Sequence, residues 1–122
     1  MKLDRDSSSG NVIRAFSAGR LIIGSATFTA PLILTAEQVI ADWLPPPPDR
    51  LEIHDLQPAL DLQPEVILLG TGVRQVFPST ALLAEILGRG IGIEVMGTGA
   101  ACRTFNILAA EQRRVVAALM VV

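Results

Sequence analysis

The sequence predicts a single α/β domain with parallel strands, and three observations carry that expectation. Residues 66–69 are a continuous apolar run closed by Gly70, as expected of a strand buried on both faces. Leu82, Leu83, Ile86 and Leu87 repeat at helical spacing behind Ser79. Residues 90–96 return to a strand pattern and lead into a second glycine turn, a second helix and a last apolar run. Strand, helix and strand in so short a compass read as parallel strands joined by a right-handed crossover.

Taken in order, residues 1–10 read as a mobile tail ahead of one domain at 11–122. Residues 12–16 and 21–23 are short β-rich runs around Ser17-Ala18-Gly19-Arg20, a hairpin signal. Residues 31–35 predict a further strand, placed at a sheet edge because Pro31 has no amide to donate. Residues 37–44 admit two readings. Thr35 and Gln38 have capping-box spacing and Val39, Ile40 and Trp43 would share a helical face; a short strand is the rival. The prolines at 45–48 end either element. Residues 54–60 predict a short helix, with Pro58 inside it or marking a late start.

In the second half, Ser79 is placed to cap the 79–87 helix, and Gly88 sits where a left-handed helix end favours glycine. Thr98 is the expected cap of a helix reaching about Ala110. Residues 114–121 form the last strand. The terminal run from Val115 is too apolar for water, so it is internal or covered by a second subunit.

Composition narrows the function classes. With 122 residues, 50% of them hydrophobic and 18% charged, the chain is long enough for a real core and too apolar for disorder. Net charge is −2, Lys2 is the only lysine, and no basic stripe interleaves with aromatics. That speaks against a nucleic-acid partner. Cys102 is the only cysteine, so no intrachain disulfide forms. The first ten residues have no apolar stretch for a secretory signal. The longest uncharged run, 21–36, falls short of the roughly 18 residues of a spanning helix and contains Pro31. The expectation is a cytoplasmic chain without a membrane span, as monomer or homodimer.

Few side chains offer chemistry. Gly70-Thr71-Gly72 after a strand invites a dinucleotide reading, but Gln75 stands where a third glycine belongs and Pro78 delays the helix. The simpler reading is a tight turn needing small residues. Gly97-Thr98-Gly99 opens a helix whose amides attract anions, with Arg103 a turn further in; a plain cap is the simpler alternative. Cys102, near that helix start and beside Arg103, has the surroundings of a thiolate, and the only histidine, His54, would have to meet it through the fold. A small core cysteine is the bland reading. Asn106 within a helix implies a specific bonding partner, either a neighbouring loop or a ligand. Glu111 is expected to pair with Arg114 or Arg103. No paired carboxylates, seryl elbow or metal-ligand spacing stands out, so no cofactor or metal is expected.

With these residues in view, the chain resembles a small α/β domain family of largely unknown function. That family includes the mitochondrial NADH dehydrogenase (complex I) assembly factor, an adipogenesis-associated cytosolic protein and many bacterial members. The matching segments are VILLGTG at 66–72, GIGIEVM at 90–96, TGAACRTFNILAAE at 98–111 and RRVVAAL at 113–119. The resemblance implies three layers: a mixed central sheet with helices on both faces, its last strand antiparallel to the others, and an N-terminal β-hairpin alongside. It favours an extended 39–44 segment. The shared pattern covers Gly70, Gly72, Glu94, Thr98, Ala101, Thr104, Asn106, Leu108, Glu111 and Arg113. The chain departs at Gly97, where aspartate is common, and at Gln112, where glycine is common.

The resemblance implies a non-enzymatic binding or assembly-factor-like module with a protein partner. Its candidate surface joins Gly70, Thr71, Gly72, Arg74 and Phe77, with Val73, to Thr98, Gly99, Arg103, Thr104 and Asn106. The alternative is a small anionic ligand held by the glycine turns at the strand ends. An enzyme using Cys102 ranks third.

Overall fold

The computed structural model describes residues 10–121, so the expected tail lies outside them except for Gly10. In chain order, β1 (Ile13–Ser17), β2 (Arg20–Ile23) and β3 (Ala26–Phe28) form an antiparallel meander. The hairpin signal at Ala18-Gly19 is its first turn: Ser17 pairs with Arg20, and Gly19 takes φ +80. Next come β4 (Leu32–Leu34) and β5 (Val39–Ile40), then two 3-10 turns at Pro48–Arg50 and Ile53–Leu56, the second running into α1 (Gln57–Leu60). The second half follows as β6 (Val66–Gly70), α2 (Thr80–Gly88), β7 (Gly92–Met96), α3 (Thr98–Ala110) and β8 (Val115–Leu119).

The five later strands form one mixed sheet in the order β5-β4-β8-β6-β7. Period-two alternation divides its side chains between two apolar layers. Val66, Leu68, Val115, Ala117, Leu119, Leu32 and Leu34 face one layer, where Ala101, Cys102 and Phe105 of α3 and Ile13, Leu21 and Ile23 of the meander cover them. Ile67, Leu69, Val116, Ala118 and Ile33 face the other, covered by Leu56, Ala59 and Leu60 below and Leu82 and Ile86 of α2. Helices therefore flank the sheet on both faces, with the meander beside α3.

Four expectations are corrected. The last strand is not the antiparallel one: β8 runs parallel to β6, as β7 does, and β4 is the strand that opposes β8. β4 is not at an edge either, because β5 pairs with its outer side; Pro31 escapes the ladder by preceding the strand. The left-handed end of α2 falls at Gly90 (φ +80) rather than Gly88. Its amide bonds Leu87 O at 3.0 Å, and Ile91 N reaches Ile86 O at 3.4 Å. Finally, Thr98 is not the cap of α3, because Gly97 holds that position and Thr98 is the first residue of the helix.

Residues 37–44 make no helix. The Thr35 hydroxyl does accept from Gln38 N at 3.1 Å, as the spacing suggests, but Thr35 N also donates to Gln38 O at 2.9 Å and closes a turn between β4 and β5. Trp43 is buried against the second layer, and its Nε1 donates to Asp55 O at 2.8 Å. The apolar C-terminal run is internal, because β8 lies between β4 and β6.

Candidate functional site

Where β6 leaves the sheet, its turn meets the start of α3. Gly70 stands at the crossing: a Cβ there would lie 3.0 Å from Leu119 Cδ2, 3.0 Å from Thr98 Oγ1 and 3.1 Å from Thr98 Cα. Glycine is needed for this close approach. Gly97, whose added Cβ would lie 3.4 Å from Gly72 O, brings the second glycine turn against the first. The two turns therefore converge at the C-terminal ends of β6 and β7.

Their amides are largely committed within the molecule. Thr98 N donates to Gly72 O (2.8 Å), Gly72 N donates to Thr98 Oγ1 (2.8 Å), and the Thr98 hydroxyl donates to Met120 O (2.7 Å). Thr98 is fully buried, and Gly97 holds the N-cap position of α3 with no side-chain cap. Thr98 is thus a three-way tie between the β6 turn, α3 and the end of β8, with no hydroxyl left for helix capping. Thr71 behaves similarly. Its amide reaches Met96 O at 2.9 Å, and its hydroxyl donates to Arg74 O and accepts from Val76 N at 3.0 Å. Gly70, Thr71, Gly72 and Thr98 therefore shape the site from beneath.

What the turn presents outward is the loop of residues 73–77. Val73 is 77% and Phe77 57% exposed, with Arg74 exposed between them. Internal bonds from Thr71 hold this loop, and Gln75 Nε2 donates to Val95 O of β7 at 2.9 Å.

The remaining candidates lie along α3. Arg103 is exposed, and a Cβ at Gly99 would lie 3.7 Å from its guanidinium and 3.5 Å from the Phe16 ring. A small cleft of about 140 Å³ opens here, lined by Arg14, Phe16, Gly99, Cys102, Arg103 and Asn106. Thr104 donates to Ala100 O at 2.9 Å, within its own helix. Asn106 has found a structural partner: Ile13 N donates to its Oδ1 at 2.9 Å and its Nδ2 donates to Ile13 O at 2.8 Å. The side-chain amide acts as one more strand residue, hanging β1 on α3.

Cys102 is buried, and burial pushes its thiol up to about 11, with Arg103 lowering it by less. His54 belongs to the turn whose Ile53 and Leu56 pack on the opposite face of the sheet. The fold separates this pair. The expected Glu111 ion pairs are replaced by Glu65, whose carboxylate accepts from Arg114 N (3.0 Å) and Arg113 Nε (3.3 Å). These bonds, the Arg114 amide first, hold its carboxyl below the usual carboxylate range.

Sequence reasoning missed a larger concavity, about 1000 Å³, at the N-terminal ends of the parallel strands. Among the described residues its walls include Asn11, Thr35, Glu37, Gln112, Arg113 and Arg114. Only the adjacent arginines marked it in the sequence. No helix among the described residues is long and apolar enough to cross a membrane.

Residues 13–120 match the family model described as a protein of unknown function (DUF498/DUF598). The chain is 33% identical over 110 residues to the "13 kDa major membrane protein" of Francisella tularensis subsp. holarctica, covering 84% of each. It is 32% identical over 120 residues to the NADH dehydrogenase (ubiquinone) 1 alpha subcomplex assembly factor 3 of Danio rerio, covering 97% of this chain and 68% of that one. Among solved structures, a Bordetella parapertussis protein superposes with a TM-score of 0.86 at 36% identity, covering 96% of this chain and all of its own.

Proposed function

Because the chain belongs to the DUF498/DUF598 family of unknown function, we propose that it is a non-enzymatic binding module of assembly-factor type. It acts through contact with a protein partner, in the cytoplasm. The observation that carries this reading is the 73–77 loop, where two large apolar side chains stand in solvent on a backbone fastened by Thr71 and Gln75. An apolar pair around an arginine on a held loop is the composition of an interface centre, and little ordering entropy remains to be lost on binding. The Danio rerio relative carries the name of an assembly factor, which supports the same class.

The test is affinity capture from native extract with the full chain as bait. Phe77→Ser combined with Arg74→Glu is expected to lose the specifically captured protein without changing the melting temperature, since both side chains are exposed. Undiminished capture rejects the loop as the working surface.

A second reading is favoured by the small cleft, which Arg14 and Arg103 both line, with Arg103 close to Gly99 at the start of α3. An inorganic or carboxylate anion suits that chemistry. Inorganic phosphate and small carboxylates at millimolar concentration should then raise the melting temperature of the wild type and not of Arg103→Glu. The absence of any shift removes this reading.

A further inference from the structure

Among the described residues β7 is an edge strand of the five-stranded sheet, with no strand on its outer side, and that side has the chemistry of a docking rail. The register fixes which backbone groups face outward. Gly92 N donates to Glu65 O and Met96 O accepts from Thr71 N, so Gly92 and Met96 turn their backbone groups toward β6. Alternation adds Glu94 to that set and turns the amides and carbonyls of Ile93 and Val95 away from the sheet. One of those four groups, Val95 O, already accepts an N–H from the Gln75 side chain. The chain itself thus shows that this rim takes a hydrogen bond from outside the sheet.

We propose that the open edge of β7 is a strand-addition site for an extended segment of a protein partner that carries a lysine or arginine opposite Glu94. The inference rests on the partner-binding reading above and gives that partner a chemistry. Three features of the edge select the occupant. Ile93 and Val95 are half-buried, with side chains packed toward the α2 layer, so an added strand extends an existing apolar surface. Glu94 is exposed at the centre of the edge on the other face and, among the described residues, joins no ion pair. The 73–77 loop meets the same edge through the Gln75 bond to Val95 O, and its Phe77 is exposed.

A second copy of this chain is the natural rival, and Glu94 opposes it. Antiparallel pairing of β7 with itself through Ile93 and Val95 sets Glu94 directly across from its own copy. Like charges facing each other on adjacent strands destabilise the pair, whereas a cation there stabilises it. An isolated charge on an edge strand is also a common guard against self-pairing.

The test uses the full-length chain labelled for amide NMR and two short synthetic peptides of alternating threonine and valine. One peptide has a central lysine and the other a central glutamate. The lysine peptide is expected to shift and protect the Ile93 and Val95 amides and to bind more tightly than the glutamate peptide by about fivefold. Glu94→Lys should reverse that preference. Val95→Pro removes an outward N–H that the β6 ladder does not use, and it should abolish binding of both peptides. Absence of perturbation on β7, or a preference that Glu94→Lys leaves unchanged, overturns the proposal. A wild-type dimer in sedimentation with Ile93 and Val95 protected assigns the edge to a second copy and overturns it equally. If the peptides fail while Phe77→Ser still weakens native capture, only the edge inference falls. If the peptides bind while capture ignores Phe77, the loop reading falls instead.

Discussion

At the scale of single residues, Thr98 concentrates the most structure in the fewest atoms. Its hydroxyl accepts from Gly72 N and donates to Met120 O, so Thr98→Val leaves that donor and that acceptor buried without this partner. Each such group costs about 1–3 kcal/mol, and the replacement is nearly isosteric, so a loss of about 2–4 kcal/mol is expected in urea unfolding. Thr98→Ser, which keeps the oxygen, should recover most of it; equal losses in both variants would refute the tie. Cys102 gives a prediction of a different kind. Its thiol rises from 9.0 to about 11 in the folded chain. The folded state keeps a proton that the unfolded state releases, so the contribution of this group is complete below 9.0 and is lost as pH rises through about 11. Wild type should therefore lose stability across that window more steeply than Cys102→Ala, and iodoacetamide should label the native thiol only as fast as the chain opens. Prompt labelling at neutral pH would contradict the burial.

At the scale of elements, α3 ends on a residue that its backbone does not favour. Gln112 sits at φ +62, with its amide on Ala109 O and the Arg113 amide on Leu108 O, the paired bonds of a left-handed helix end. A side chain in that region costs about 1–2 kcal/mol, against about 0.4–1 kcal/mol of extra unfolded-state entropy for glycine. Gln112→Gly should therefore raise stability by about 0.5–1 kcal/mol, read as a higher urea midpoint at unchanged slope. The same elements explain what the sequence made legible. β6, α2, β7, α3 and β8 are each set by local signals: a continuous apolar run, a helical stripe, a capping serine. Strand direction is not local. Whether β8 runs with β6 or against it depends on α3 spanning the sheet, and the resemblance placed the opposed strand at β8 instead of β4. Thr35 misled in another way, since its hydroxyl bonds Gln38 N in a turn as readily as in a cap. At the site, Thr98, Asn106 and the glycines were recognisable as special residue types. Their contacts with Met120, Ile13 and Leu119 join positions far apart in the chain, and no spacing rule reports those.

At the scale of the whole molecule, the two sheets are unequal partners. The large sheet has helices on both faces and strands β6 and β8 paired on both sides. The meander is held to it from one face only, by Ile13, Leu21 and Ile23 in the α3 layer and by the paired Asn106 bonds to Ile13. Beyond the Asn11 bonds to Thr35 and Ala36 just ahead of β1, packing from a single face and the Asn106 clasp define a unit able to open before the rest. Asn106→Leu removes both bonds and leaves the Ile13 amide and carbonyl to water or to nothing. The variant is then expected to exchange the amides of Leu21 and Ile23 markedly faster in native-state hydrogen exchange, while Ile67 and Leu68 keep their protection relative to global unfolding. A uniform loss across both sheets would show instead that the meander and the central sheet open as one unit. The outcome bears on function, because Phe16 and Arg14 of β1 form one wall of the cleft whose other wall carries Gly99 and Arg103. If the meander opens separately, that cleft widens and closes with it. The 73–77 loop and the β7 edge, built on the large sheet, keep their geometry throughout.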